Sequence, residues 1–314
     1  MAKKEEFTFL SADRTTKIHV MKWVPDDGKI TASLQIAHGM CEHIERYEEF
    51  ANYAADHGIM VIGNSHLGHG KSVESSENYG YFGENKKPSD LVIEDMNKVR
   101  WMCQRGKPHF MMGHSMGSYM LRKYLSIYGE GLSGAILMGT GYVPQIVTEF
   151  GICVAKIQGK MFGSKHRSEL LRKLSYSKPY RKFDSYGHDY SKSWLTRDVE
   201  EVKKYFEDPA CNYTFTCNGY LGLFEAVNYS CKKENADKIP KDLPILLISG
   251  DDDPVGDLGV GVKKVAKLYR SVGISDVQLK MYRHHRHEIL HELNKDEVFR
   301  DIISWLKSEG ISEI

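Results

Sequence analysis

The sequence predicts an α/β fold: a mostly parallel sheet of about eight strands with helices on both faces and a helical insertion between the sixth and seventh strands. Three observations carry this reading. Runs at 33–38, 59–64, 109–114 and 134–139 are apolar on both faces and alternate with stretches of helical period, the pattern of a sheet covered on both sides. Near Gly141 the rhythm stops, and positions 142–239 read almost wholly as helix, rich in tyrosine and phenylalanine. It resumes with strands at 243–250 and 277–283, so one domain made of 1–141 and 240–314 is interrupted by an insertion over 142–239.

The elements follow in order. Positions 5–10 and 17–25 alternate with period two around the polar turn "SADRTT", which predicts an antiparallel hairpin ahead of the parallel strands. Helical periodicity marks 46–58, 91–106 and 118–129 between the first four buried strands, then 259–273 and 295–310 around the last one. The stretch 145–162 is apolar at helical spacing but broken by Glu149, Lys156 and Lys160. We expect its apolar face to pack inward as core, with docking onto a lipid aggregate as the alternative. Met111, Met112, Met116 and Met120 are expected to fill core around the third of the buried strand-to-helix junctions, with a flexible wall for an apolar chain as the alternative.

Composition narrows the partners. Lys and Arg total 43 against 42 Asp and Glu, and a net charge of +1 gives no electrostatic reason to expect binding to nucleic acid or to an anionic membrane. The N-terminal stretch lacks the continuous apolar core of a signal peptide, and no run approaches the ~18 to 20 apolar residues of a membrane-spanning helix. Cys41, Cys103, Cys153, Cys211, Cys217 and Cys231 include no C-x-x-C pair, which fits reduced thiols. The expectation is a cytoplasmic protein acting on a small, nearly neutral partner. Its oligomeric state is left open.

The chemistry concentrates in "HFMMGHSMGSYML". Gly113-His114-Ser115-Met116-Gly117 sits where an apolar strand gives way to a helix, the nucleophile-elbow pattern G-x-S-x-G. A serine exposed on so tight a turn leaves no room for side chains two residues before and after it, hence Gly113 and Gly117. A serine hydroxyl needs a base, and the base needs an acid to fix its tautomer. In this arrangement the acid follows a later strand and the histidine follows the last one. The strand at 243–250 runs into Asp251-Asp252-Asp253, and the strand at 277–283 runs into "HHRHEILHEL". Spacing alone does not choose among the three aspartates.

The chain resembles the monoacylglycerol lipase and lysophospholipase-like branch, of serine aminopeptidase S33 type, of the α/β-hydrolase superfamily. The matching stretches run nearly its full length: "IAHGMCEHIERYEEFANYAADHG", "VIGNSHLGHGKS", "GHSMGS", "WLTRDVEEVKKYFEDPACNYTFTCNGYLGLF", "ISGDDDPVG" and "HEILHEL". The resemblance implies Ser115 as nucleophile, Asp253 as acid and His287 as base. It also implies backbone N–H groups of Met40 and Met116 as the oxyanion hole, the insertion as a lid, and no cofactor. The reaction it implies is hydrolysis of a carboxylic ester of an amphipathic alcohol, monoacylglycerol-like or lysophospholipid-like, with transient contact to lipid through the lid. Two features depart from the family pattern. Ser65 stands where an aspartate is usual, and His284 and His291 stand where glycine and asparagine are usual.

The second departure creates the string His287-Glu288-Ile289-Leu290-His291, which matches the zinc-peptidase signature H-E-x-x-H. A zinc peptidase needs a third protein ligand, and the extended form of that motif is absent, so we expect no catalytic metal. At most, His284, His285, His287 and His291 would hold an adventitious ion. The alternatives carried forward are an aminopeptidase of the same superfamily, which would bind a substrate amino group through an acidic lid residue, and a non-catalytic ligand-binding relative.

Overall fold

The computed structural model of the chain describes residues 2–103, 106–176 and 179–311. One eight-stranded sheet forms its centre, from β1 (Lys3–Leu10), β2 (Lys17–Val24), β3 (Ala32–Ala37), β4 (Ile59–Asn64), β5 (His109–His114), β6 (Gly134–Met138), β7 (Ile245–Gly250) and β8 (Val277–Tyr282). Its strand order is β1-β2-β4-β3-β5-β6-β7-β8. β1 and β2 pair antiparallel, as do β2 and β4, and every later neighbour is parallel. The hairpin and the parallel set both stand where the periodicities put them, within two residues at most ends.

Every residue of β3, β4, β5, β6 and β7 is buried, because helices cover both faces. Alternation then sends successive side chains to opposite layers. Leu34, Phe110, Met112, Ile136 and Ile248 pack under α1 (Glu48–Ala55) and the C-terminal helix at Lys295–Ser308. Met111, Ala135, Leu137 and Leu247 pack under α2 (Pro88–Arg100) and α3 (Met116–Tyr128). α2 begins three residues before its expected start, with proline in its first turn where the missing N–H costs nothing, and ends at Arg100. Positions 104 and 105 of that expected helix lie outside the described residues.

Between β6 and β7 come α4 (Gln145–Phe162), α5 (Glu169–Ser175), α6 (Val199–Glu207), α7 (Cys217–Ser230) and α8 (Lys233–Ala236), followed beyond β7 by α9 (Val260–Ser271) and, after β8, α10 (Lys295–Ser308). The span between α5 and α6 is less helical than its sequence pattern: it holds two single 3₁₀ turns and irregular chain. Both ends of the insertion meet one buried cation. Arg122 on α3, 1% exposed, donates to Gly141 O at 2.8 Å and Thr140 Oγ1 at 3.2 Å where the segment leaves the sheet, and to Ser230 O at 2.8 Å where α7 ends. Tyr269 Oη on α9 takes its Nε–H at 3.1 Å. Among the described residues no carboxylate pairs with this guanidinium. Carbonyl oxygens and a phenol satisfy it instead, which is how a buried charge is tolerated without an ion pair.

The expectation that 145–162 packs inward is corrected. α4 buries only Thr148, Gly151 and Ala155, with Gly151 against Phe224 and Thr148 Oγ1 accepting from Asn228 at 2.7 Å. Ile146 is 77% exposed, and Phe150, Ile157 and Met161 lie outward on the same side. Small residues face α7 because the helices cross closely there, and the apolar stripe that looks like core is left facing solvent. Among the described residues no helix is long and apolar enough to cross a membrane.

Candidate active site

Ser115 stands between the last residue of β5 and the first of α3 with φ 52° and ψ −120°, a region that side chains other than glycine rarely occupy. Its N–H donates to Met138 O at 3.0 Å, which ties the turn to β6. The flanking glycines are required by space. A Cβ on Gly117 would lie 2.0 Å from Ala37 O, and one on Gly113 would lie 2.5 Å from Gly117 O. The sequence-based argument for both therefore holds atom by atom.

The three aspartates after β7 take three different partners. Asp251 Oδ1 accepts from His284 N at 2.6 Å, and Asp252 pairs with Lys182. Asp253 is fully buried. Both of its oxygens lie 3.0 Å from His287 Nδ1, while Val255 N at 2.8 Å and Ser249 Oγ at 3.2 Å donate to the same carboxylate. Those bonds fix Nδ1 as the protonated nitrogen and leave Nε2 as the basic one. His287 and Ser115 line one cavity of about 340 Å³. Ser115 Oγ makes no hydrogen bond to His287 here, a looseness common in substrate-free sites that tightens on binding.

Met40 and Met116 line the same cavity, and neither backbone N–H donates to another atom among the described residues. The loop holding Met40 is organised from behind. Glu42, 2% exposed, accepts from Gly39 N, from Tyr47 Oη at 3.0 Å and from His114 Nδ1 at 2.8 Å. Its second oxygen accepts from Arg46 at 3.1 Å, and Arg46 closes a bidentate pair with Glu288 at 2.6 and 2.7 Å. Burial alone would push the Glu42 carboxyl up, but His114 and Arg46 hold it well below the ordinary range. Burial likewise pulls His114 down, and the Glu42 carboxylate outweighs it and raises the imidazole. Glu42, Arg46, His114 and Glu288 thus join the Met40 loop, the elbow and the His287 loop in one buried ionic network. Sequence reasoning missed these residues. Their only signal was charge placed next to motif residues, which surface positions show equally often.

The insertion supplies the outer wall. Trp194 packs its ring 5.0 Å from that of His287, and its carbonyl accepts from His287 N at 3.3 Å, while Leu195 O accepts from Glu288 N at 2.7 Å. Tyr176, Tyr180, Tyr142 and Phe224 continue the lining, so the insertion's share of the wall is rich in aromatic rings. Met111, Met112 and Met120 are core as expected, and only Met116 reaches the cavity.

The H-E-x-x-H string does not assemble a metal site. It lies on a loop and a 3₁₀ turn at Ile289–His291, so His287 and His291 are not stacked one α-helical turn apart. His287 serves Asp253, whereas His291 faces Glu201 at 3.5 Å. His284 is exposed at φ 61°, the left-handed conformation for which glycine is usual, and His285 is bonded to Arg283 O. Ser65 Oγ stands 3.4 Å from His19 Nδ1 and 3.5 Å from Ile44 N, long contacts where a carboxylate would reach further. The loop is held instead by Ser72 Oγ donating to Ser65 O at 2.6 Å.

A family model described as serine aminopeptidase, S33, matches residues 28–294. The monoacylglycerol lipase of Mycolicibacterium smegmatis is 26% identical over 295 residues, covering 91% of this chain and 91% of its own length. The human monoglyceride lipase is 27% identical over 297 residues, covering 90% and 84%. Among solved structures, a highly thermostable carboxyl esterase from Bacillus coagulans superposes with a TM-score of 0.88 at 29% identity, covering 98% of this chain and 99% of that one. With an elbow, a carboxylate–histidine pair and a helical segment placed as that fold places them, the chain is an α/β-hydrolase and belongs to the serine aminopeptidase S33 family.

Proposed function

We propose that the chain hydrolyses carboxylic esters of amphipathic alcohols, monoacylglycerol-like or lysophospholipid-like, through an acyl-enzyme on Ser115. It is a carboxylic ester hydrolase by kinship to lipases and an esterase. The observation that carries the assignment of roles is the convergence of Ser115, the His287–Asp253 pair and two undonated N–H groups on one apolar cavity. His287 Nε2 takes the Ser115 proton as Oγ attacks the ester carbonyl carbon. The oxyanion accepts from Met40 N–H and Met116 N–H, and Asp253 stabilises the imidazolium that forms. His287 then gives its proton to the departing alkoxide, releasing the alcohol. In the second half His287 deprotonates water, which attacks the acyl-enzyme, and the proton returns to Ser115 Oγ as the carboxylic acid leaves.

Residues 142–239 act as the lid, and the outward stripe of α4, with Lys156 and Lys160 beside it, is the surface that meets lipid transiently. Six free cysteines agree with a reducing, cytoplasmic setting. One observation bears on a second reading. Among the described residues no acidic side chain of the insertion lines the cavity, and Glu42 and Glu288 are committed to Arg46 and His114, so an aminopeptidase would have to place a substrate amine at Asp257, exposed on the loop after β7 rather than on the lid. Intact-mass labelling with a fluorophosphonate tests the nucleophile, with one adduct expected on the wild type and none on Ser115→Ala. Turnover of a matched panel of acyl esters and aminoacyl amides then separates the two readings. Wild type that takes no label would remove both and leave a binding protein.

A further inference from the structure

Outside the cavity just described, one cluster of side chains among the described residues has the chemistry of a metal site. His43, on the Met40 loop, directs Nε2 at Asp208 Oδ2 at 2.8 Å, and the donor atoms of His43, Asp208 and Cys211 all lie within 4.8 Å of one another. His43 Nδ1 is bonded to Glu45 Oε2 at 2.7 Å, the carboxylate-to-imidazole bond that ordinarily orients a ligating histidine from behind. Asp208 and Cys211 are held in one tight turn: Asp208 O accepts from Cys211 N at 2.9 Å, and Asp208 Oδ1 accepts from Ala210 N at 2.7 Å. The Cys211 sulfur is buried and has no hydrogen-bond partner among the described residues. Asp208 is only partly covered, which leaves a way in from solvent.

We propose that His43 Nε2, Asp208 Oδ2 and Cys211 Sγ form a three-ligand site for a divalent zinc-like ion, with water in the fourth position. One nitrogen, one oxygen and one sulfur are the donors that borderline-soft tetrahedral ions take, and they disfavour magnesium and calcium. Bond lengths of roughly 2.0 to 2.3 Å around a tetrahedral centre set donors about 3.3 to 3.7 Å apart. Reaching that spacing requires His43 Nε2 and Asp208 Oδ2, now 2.8 Å apart, to open slightly and any pair near the 4.8 Å limit to close. Both ring nitrogens of His43 face carboxylates, so both carry hydrogen in the metal-free state. Binding replaces the Nε2 hydrogen and the Cys211 thiol hydrogen, and both protons leave to solvent. The ion would then tie the loop carrying Met40 to the stretch that follows α6, linking the sheet domain to the insertion beside the cavity without touching Ser115 or His287. This site is separate from the H-E-x-x-H string and does not depend on the proposed reaction.

Cobalt(II) is the probe, titrated into the full-length, chelator-treated protein without oxygen. We expect saturation at one equivalent, a thiolate-to-cobalt charge-transfer band in the near ultraviolet and visible bands of four-coordinate intensity. The charge-transfer band should be lost in Cys211→Ala and cobalt affinity should fall at least 10-fold in Asp208→Asn. Zinc at saturation should raise the melting temperature by about 5 °C in the wild type and not in Cys211→Ala. X-ray absorption fine structure on the zinc-loaded wild type should show one sulfur among nitrogen and oxygen neighbours, a readout that needs no variant to fold. A charge-transfer band that persists in Cys211→Ala, or a first shell without sulfur, overturns the proposal.

Discussion

Two parts of the same insertion behave in opposite ways. The strap over 193–197 is stitched to the His287 loop: Trp194 O and Leu195 O accept from His287 N and Glu288 N, Thr196 Oγ1 donates to His291 O at 3.0 Å, and Arg197 pairs with Glu292 at 2.9 Å. α4 buries only three residues, adds Val154 at the edge of the core and Val147 at the cavity, and turns Ile146, Phe150 and Met161 to solvent. The difference teaches that an insertion is not uniformly a cover. The strap belongs to the machinery that positions the base, and α4 is the part that has surface to spare.

The comparison breaks most sharply at Glu288. Glu288→Ala leaves Arg46 buried without its bidentate partner, and losing one member of such a pair costs about 3 to 5 kcal/mol. A thermal melt should show that loss together with a fall in kcat. A smaller change would mean that the strap alone holds the His287 loop.

Acidity should act on the same network from both sides. Glu42 has its folded value lowered, so its contribution is present above its ordinary 4.5 and is lost as pH falls through the lowered value. His114 has its folded value raised, so its contribution is complete below its ordinary 6.5 and is lost as pH rises through the raised value. Stability to denaturant should therefore peak between those limits. Glu42→Gln should flatten both limbs, and an unchanged profile would show that the pair does not titrate with folding.

At the foot of the His287 loop the strain is local. His284→Gly should stabilise by about 1 kcal/mol, because glycine adopts φ 61° without the cost a side chain carries there. Chemical denaturation midpoints measure it, and destabilisation would mean that the imidazole makes a compensating contact. The smallest stability effect belongs to α4. Phe150→Ser should change stability by no more than about 0.5 kcal/mol. Its rate on aggregated ester should fall relative to its rate on the same ester as monomer, and equal loss on both would assign Phe150 to the cavity instead.

Legibility in the sequence followed burial. β3, β4, β5 and β7 are apolar on both faces because both are covered, so their runs are conspicuous and their places were readable. The elbow was readable because Gly113 and Gly117 answer a backbone collision, a constraint written in residue type. Which aspartate meets His287 was not, since three adjacent carboxylates differ only in direction, and resemblance had to choose Asp253. α4 misled for a related reason. Helical apolar spacing says that a face is sticky without saying whether protein or something else covers it, and the inward face here is made of Thr148, Gly151 and Ala155.

Arg122 holds the carbonyls of Gly141 and Ser230 from a single buried position. Departure and return of the intervening chain are thereby fixed at one place on the scaffold, whatever lies between them. Such a junction lets the intervening segment be exchanged or resized while strand order and elbow stay as they are. A lineage, or an engineer, could refit the entrance of this enzyme by splicing at those two points.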